Sequence, residues 1–260
     1  MTPSNGSVGG TVVVVHGLGE HSGRYARFVS ELSEKGLKVV TFDLPGHGKS
    51  PGVRGHLRFS DVFDILDELT RNVGTHVLFG HSLGGLIAVR YVQERCHGDL
   101  KGLVISAPAL TFPRKVSQIT KTLLKVAATL VPILTVDNGI DPSHLSRNEK
   151  AVEAYKTDPL VHRKISLALV VEILKNIEEA FKKVERVRVP TLLLLGTEDK
   201  VVPPEGSRRF FELLKVEKEK VEFPGAYHEI FEDPEYQNVF YEMVSDWILR
   251  KLRSEGCTIC

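Results

Sequence analysis

Short, continuous apolar runs alternate along this chain with stretches whose apolar residues recur every three or four positions. The segments at 11–17 (TVVVVHG), 37–43 (LKVVTFD), 75–80 (THVLFG), 101–107 (KGLVISA), 189–196 (VPTLLLLG) and 219–225 (EKVEFPG) predict strands. Most are apolar at successive positions, as in a sheet covered on both faces. The stretches between them predict helices. In 22–35, Tyr25, Phe28, Val29 and Leu32 form one stripe, and Gly36 follows as the cap. In 60–71, Ser60 is the expected N-cap, and Val62, Leu66 and Leu69 the inward face. In the last helix Val239, Met243, Trp247 and Ile248 fall on one side. This alternation predicts the α/β class, with a doubly wound, mostly parallel sheet.

The alternation breaks between Pro108 and Arg188, where the pattern is helical and no strand is evident. SRNE at 146–149 reads as a capping box. Leu167, Val170, Leu174, Ile177 and Phe181 form another helical stripe. Residues 109–186 are thus expected to be a helical cap inserted into a core made of 1–108 and 187–260. From Thr120 to Leu134, Lys121, Lys125 and Thr129 occupy one narrow stripe, while Leu123, Leu124, Val126, Ala127, Leu130 and Val131 cover most of the rest. Pro132 is expected to end or kink that helix. A helix this apolar either packs against the core or offers its surplus face to lipid; in the second case Leu123 and Leu130 are expected to wall an acyl channel or to touch a membrane or other lipid surface, since the stretch is too short to span a bilayer.

Composition narrows the function classes. With 260 residues the chain is long enough for one large domain carrying an insertion. A formal net charge of +1 gives no reason to expect a nucleic-acid partner. Three cysteines, Cys96, Cys257 and Cys260, make no disulfide framework, and the N-terminal pattern is not that of a signal peptide, so a cytoplasmic location is expected. No H-E-x-x-H occurs, and the Cys257/Cys260 pair has no histidine near it in sequence. Neither metal nor cofactor is expected.

The candidate chemistry centres on Gly80-His81-Ser82-Leu83-Gly84, a G-x-S-x-G between a predicted strand and a predicted helix. Glycines on both sides permit a sharp turn that lifts Ser82 to the mouth of the sheet, and the Leu83 N–H at the start of the helix is placed to receive an oxyanion. Partners are then expected in the chain order acid, histidine. Asp199 follows the strand that ends at Gly196, with Glu198 and Asp233 as competing carboxylates. His228 is the one histidine that follows both Ser82 and Asp199. The loop after the first strand, HGLGEHSGRY at 16–25, is expected to offer the Leu18 N–H as a second oxyanion donor. In the same loop Glu20 and Arg24 are expected to pair with each other or to hold the polar end of a substrate.

Five segments together, VHGLGEHSGRY, FDLPGHGKSPG, FGHSLGGLIA, LLLLGTEDKVV and GAYHEIFEDPE, spread from Val15 to Glu235, resemble the α/β-hydrolases of the monoacylglycerol lipase group, which is related to lysophospholipases. The resemblance implies the α/β-hydrolase fold with a helical cap and the hydrolysis of single-chain acylglycerols. It maps the nucleophile to Ser82, the acid to Asp199, the base to His228 and the oxyanion donors to Leu18 and Leu83. Relatives usually carry a hairpin before the first parallel strand. Only ten residues precede Thr11, so that hairpin is expected to be absent or reduced. Two other readings remain open at this level: a peptidase holding a free amine on cap carboxylates such as Glu149 and Glu153, and a binding module of the same fold.

Overall fold

The computed structural model describes residues 9–95, 98–112 and 117–253. All six predicted strands form: β1 (Thr11–Val15), β2 (Lys38–Thr41), β3 (His76–His81), β4 (Leu100–Ser106), β7 (Thr191–Gly196) and β8 (Lys218–Phe223). They make one sheet, every neighbouring pair parallel, in the order β2-β1-β3-β4-β7-β8. Side chains alternate between its faces. Val13, Val15, Leu78, Leu103, Ile105, Leu193 and Leu195 enter one buried cluster, and Val12, Val14, Val77, Phe79, Val104, Leu192 and Leu194 the other. Both faces are therefore dry, which explains why these strands are apolar at successive positions. Helices α2 (Phe59–Arg71), α3 (Leu83–Glu94) and α7 (Glu205–Leu213) cover the first face, and α1 (Ala26–Glu34) and α8 (Gln237–Arg253) the second. The expectation about an N-terminal hairpin falls on residues 1–8, outside the described residues.

Packing moved several helix details. Helix α2 begins at Phe59, a buried core residue, with Arg58 in the cap position; the Ser60 hydroxyl bonds Asp61 instead of capping. On α8, Phe240, Tyr241, Val244, Trp247 and Ile248 are buried, whereas Val239 and Met243 are 45% and 36% exposed. Phe240 and Tyr241 pack with Phe28 and Phe231, and these larger rings set the helix rotation. Only Trp247 and Ile248 of the expected face lie inside.

Between β4 and β7 the chain runs α4 (Gln118–Leu130), β5 (Thr135–Asp137), α5 (Glu149–Thr157), β6 (Lys164–Ser166) and α6 (Leu167–Lys182). Strands β5 and β6 pair antiparallel over three residues each, too few for a period of two to stand out in sequence. The cap of α5 is Asn148, which accepts the Lys150 N–H at 3.1 Å; Ser146 instead donates to the Glu232 carbonyl, tying the insertion to the core. Helix α6 buries Leu169, Ile173, Asn176 and Ala180, flanked by half-buried Val170, Ile177 and Phe181. Asn176 accepts from buried Arg90 on α3 at 3.0 Å. Two more ties reach the loop after β1: His21 to Asp158 at 2.8 Å, and the His162 N–H to the Gly19 carbonyl at 2.9 Å.

Backbone packs closely against backbone where α3 leaves the sheet. A Cβ added at Gly84 would collide with the carbonyl oxygens of Val15 and His16, which are backbone and cannot swing away. Gly84→Ala should therefore destabilise the protein by about 1–3 kcal/mol. Gly36→Ala meets no atom within 4 Å and suffers only from its φ of +81°, a cost of about 1–2 kcal/mol. Thermal unfolding should place the Gly84 variant well below wild type; equal midpoints would refute the close-packing account.

Candidate active site

Strand β3 delivers the chain to Ser82, and α3 begins at the next residue. Ser82 adopts φ 53°, ψ −119°, a region that side-chain-bearing residues avoid. Such strain, about 1–3 kcal/mol, persists only where the surroundings enforce it. Here the Ser82 N–H donates to the Ser106 carbonyl at 3.0 Å, and the Ala109 N–H donates to the Ser82 carbonyl at 2.9 Å. Ala107, between those two supports, is also left-handed, with φ 43°. His81 and Leu83 are buried on either side while Ser82 remains partly exposed. The Leu83 N–H belongs to the first turn of α3, where amides lack partners within the helix.

Asp199 and His228 come from the loops after β7 and β8, at the same carboxyl end of the sheet. His228 Nδ1 lies 2.7 Å from Asp199 Oδ2. The other carboxylate oxygen accepts the Val201 and Val202 N–H groups at 2.8 Å each, which fixes the side chain. A carboxylate only accepts, so Nδ1 carries the hydrogen and Nε2 is the basic atom of the neutral ring. The competing carboxylates lie elsewhere: Glu198 is exposed, and Asp233 forms a bidentate pair with Arg147. Burial alone would pull the His228 pKa down, but the Asp199 charge and hydrogen bond, with Glu229 and Glu20 behind them, outweigh it and raise it above the usual imidazole value. Neighbouring His81, its ring centroid 4.8 Å away, is pushed well below that value by burial and by His228 itself.

Glu20 and Arg24 do pair, in a larger network than the loop sequence suggested. Glu20 accepts from the Gly17 N–H at 2.5 Å, the Tyr25 hydroxyl at 2.8 Å and Arg24 at 2.7 Å. Arg24 also forms a bidentate pair with Glu229 at 2.6 and 2.8 Å, and its guanidinium lies over the Tyr155 ring. Burial would raise the Glu20 pKa, yet Arg24, His16 and the Gly17 N–H hold it low. Glu229 and Tyr155 were not foreseen. Glu229 sits beside His228 in sequence, but its partner lies 205 residues away and only the fold brings them together.

Two spaces open at Ser82. One is a tight cleft of about 10 Å³, the room of about one water, bordered by Glu20, Tyr155, His228 and Glu229 on one side and by Leu18, Ile140 and Leu145 on the other, with Gly17, His81 and Ser82 between. The other is an apolar cavity of about 210 Å³, lined by Leu18, Ser82 and Leu83, by Ala109, Thr111 and Phe112, by Val136, Asp137, Asn138 and Ile140, by Ile165, Val170 and Ile173, and by Val201 and Val202. Leu123 and Leu130 are absent from it, so they do not wall an acyl channel. They are 65% and 76% exposed, on the outer face of α4 with Ile119 and Val126. Lys121 of the same helix bonds Glu178 of α6 at 2.6 Å, while Lys125 and Thr129 remain exposed. Glu149 and Glu153 are exposed on α5 and border neither space. Among the described residues no group of three or more His, Cys, Asp or Glu side chains is placed to hold a metal. Cys257 and Cys260 lie outside the described residues.

The sequence matches the Hydrolase_4 family, described as serine aminopeptidase, S33, over residues 6–235. The monoacylglycerol lipase of Mycolicibacterium smegmatis is 32% identical over 94% of this chain and 89% of its own length. Phospholipase YtpA of Bacillus subtilis is 34% identical over 88% of this chain and 91% of its own. The crystal structure of the monoacylglycerol lipase of Paleococcus ferrophilus superposes with a TM-score of 0.90 at 47% identity, covering 96% of each chain.

The histidine environments make a measurable contrast. By NMR titration, His228 should gain its second proton above the ordinary value of about 6.5, and His81 only well below it. Asp199→Asn removes the charge that raises His228, so its titration should move to lower pH. An unchanged His228 titration in that variant would contradict the electrostatic account.

Proposed function

The chain belongs to the Hydrolase_4 family of serine hydrolases, and from that premise we propose that it cleaves monoacylglycerols to a fatty acid and glycerol through Ser82, Asp199 and His228. One observation carries the reading: the buried 2.7 Å bond between Asp199 and His228 beside a serine held on a strained turn, with His228 and Ser82 bordering one cleft.

His228 Nε2 takes the Ser82 proton as Oγ attacks the ester carbonyl carbon. The carbonyl electrons move to its oxygen, which receives the Leu18 and Leu83 N–H groups. Gly17 cannot serve there, because its N–H is committed to Glu20. Asp199 stabilises the imidazolium, and the buried Glu20–Arg24–Glu229 cluster, with two negative charges to one positive, adds to the same effect. The tetrahedral species collapses as His228 returns the proton to the leaving alkoxide, giving glycerol and an acyl-serine. Water, deprotonated by His228, then attacks the acyl carbon and restores Ser82 with release of the fatty acid. No cofactor enters these steps.

The two spaces suit different parts of the reaction. The apolar cavity fits the acyl chain, where each buried methylene contributes about 0.8 kcal/mol. The tight cleft beside Ser82 and His228 has room for about one water, the nucleophile of the second step. A peptidase reading lacks a carboxylate for the substrate amine: Glu20 and Glu229 are both taken by Arg24, and Glu149 and Glu153 face solvent. Residues 109–186 act as the cap in this proposal, supplying Ile140, Ile165, Val170 and Ile173 to the acyl site. The outer face of α4 rests on the lipid surface that holds the substrate. No helix among the described residues is long and apolar enough to cross a membrane, so this contact is peripheral.

Ser82→Ala should lower kcat by a factor on the order of 10⁴ in a folded protein, and Asp199→Asn by roughly 10³–10⁴. Glu198→Gln and Asp233→Asn should cost far less; near wild-type turnover by the Ser82 variant would overturn the mechanism. On a panel of monoacylglycerols, lysophospholipids and aminoacyl amides, the glycerol esters should give the highest kcat/KM, and a preference for either other class would replace the substrate assigned. Leu123→Glu or Leu130→Glu should depress hydrolysis of a long-chain monoacylglycerol presented in vesicles at least about tenfold. A soluble butyryl ester should change less than about threefold, since these residues lie outside the cavity. Equal losses on both substrates would remove the lipid-surface role.

A further inference from the structure

His16 follows β1 directly, is fully buried and takes no part in the steps above. Its ring makes two hydrogen bonds. The Leu44 N–H donates to Nε2 at 2.9 Å, and Nδ1 lies 2.8 Å from the Gly17 carbonyl oxygen. An amide N–H only donates, so Nε2 is the lone-pair atom; a carbonyl only accepts, so Nδ1 carries the hydrogen. Both bonds therefore ask for one tautomer of a neutral ring. Burial lowers the His16 pKa in spite of the Glu20 and Asp43 carboxylates nearby, which keeps the ring neutral.

The Gly17–Leu18 peptide is trans, so its carbonyl and its N–H point in opposite directions. A ring that holds the Gly17 carbonyl thus also sets the direction of the Leu18 N–H. The preceding peptide is held as well, because the Gly17 N–H donates to Glu20. The Leu18 N–H itself has no acceptor among the described residues. This part of the loop stands against the nucleophile. A Cβ built at Gly17 would lie 3.1 Å from Ser82 Cβ, and Leu18 and Ser82 border both spaces of the site.

We infer that His16 is a positioning residue for the oxyanion site: by holding the Gly17 carbonyl with Nδ1–H, it turns the Leu18 N–H towards the oxygen that gains charge at Ser82. The ring touches neither the substrate nor the reacting atoms. The inference rests on the Leu18 assignment above and adds the group that orients it. A donor fixed in advance needs no reorganisation as the charge develops, which is the condition for strong oxyanion stabilisation.

The test separates the two ring nitrogens. His16→Asn places an amide N–H near Nδ1 and keeps the bond to Gly17. His16→Gln places an amide oxygen near Nε2 and keeps the bond from Leu44. On a soluble butyryl ester, His16→Gln should lower kcat about a hundredfold with KM changed less than about threefold, as for a donor lost only from the transition state. His16→Asn should recover about tenfold of that loss, as one hydrogen bond restored would give. Inhibition by an octyl trifluoromethyl ketone, whose adduct with Ser82 carries an oxyanion, should weaken in step with kcat. A Gln variant at least as active as the Asn variant overturns the assignment, because the tie to Leu44 is then what matters; so does ketone inhibition that stays constant while kcat falls. Thermal midpoints check folding, and the wild-type protein supplies a reading that needs no variant. Nitrogen NMR should show His16 as the Nδ1–H tautomer, and the Leu18 amide resonance should move when the ketone binds; the Nε2–H tautomer or an unmoved Leu18 amide overturns the assignment. Ser82→Ala, measured alongside, should lose turnover whatever the His16 variants do, and near wild-type turnover there would overturn the serine-hydrolase reading itself.

Discussion

The site depends on one backbone constraint, the reversal that turns β3 into α3 at Ser82. A serine at φ 53° is not a conformation the chain adopts freely. It is held by hydrogen bonds to Ser106 and Ala109 and by glycines that let α3 come against the first strand. Those neighbours come from β1, from β4 and from the loop after β4, so the turn is held by the strands that flank β3. The strain holds Ser82 partly open between two buried residues, where a substrate can reach it. Stability given up at one residue is recovered from the two apolar clusters that the same sheet buries.

Charge is organised around that turn. Glu20, Arg24 and Glu229 are all nearly buried and paired: Glu20 has three donors, Arg24 two carboxylates, and Glu229 the bidentate bond from Arg24. Their net negative charge acts with Asp199 to favour the protonated form of His228. His81, equally buried but without a carboxylate bonded to it, is held neutral beside it. Two histidines in ring contact thus have opposite tendencies, set by partners from distant parts of the chain. The same cluster ties the loop after β1 to the loop after β8, so the loops carrying Leu18 and His228 are fixed to each other.

The insertion between β4 and β7 is anchored by polar contacts and built with its apolar material split. One part, on α6 and β6, lines the cavity beside Ser82. The other part, on α4, faces solvent, and that helix is tied to α6 by the Lys121–Glu178 pair. An exposed stripe of Ile119, Leu123, Val126 and Leu130 costs solubility unless a lipid phase covers it. In the proposed function these two apolar surfaces divide the work of taking a single-chain lipid: one meets the surface that contains it, the other receives its acyl chain.

The sequence by itself determined what depends on local pattern. Most of the strands were legible because both faces of the sheet are dry, which makes their residues apolar in succession; β8, at the sheet edge, is KEKVEF and largely charged. The elbow at Gly80–Gly84 was legible because a sharp strand-to-helix turn needs those glycines. The chain order of Ser82, Asp199 and His228 also pointed to residues that the fold gathers at one end of the sheet. Tertiary structure decided everything that depends on distant partners. Glu229 could not be matched to Arg24 across 205 residues, nor Asp233 removed as a competitor without Arg147. The face of α8 turned on which neighbours claimed Phe240 and Tyr241. A helical stripe specifies that one side differs from the other; the packing partner decides which side goes in.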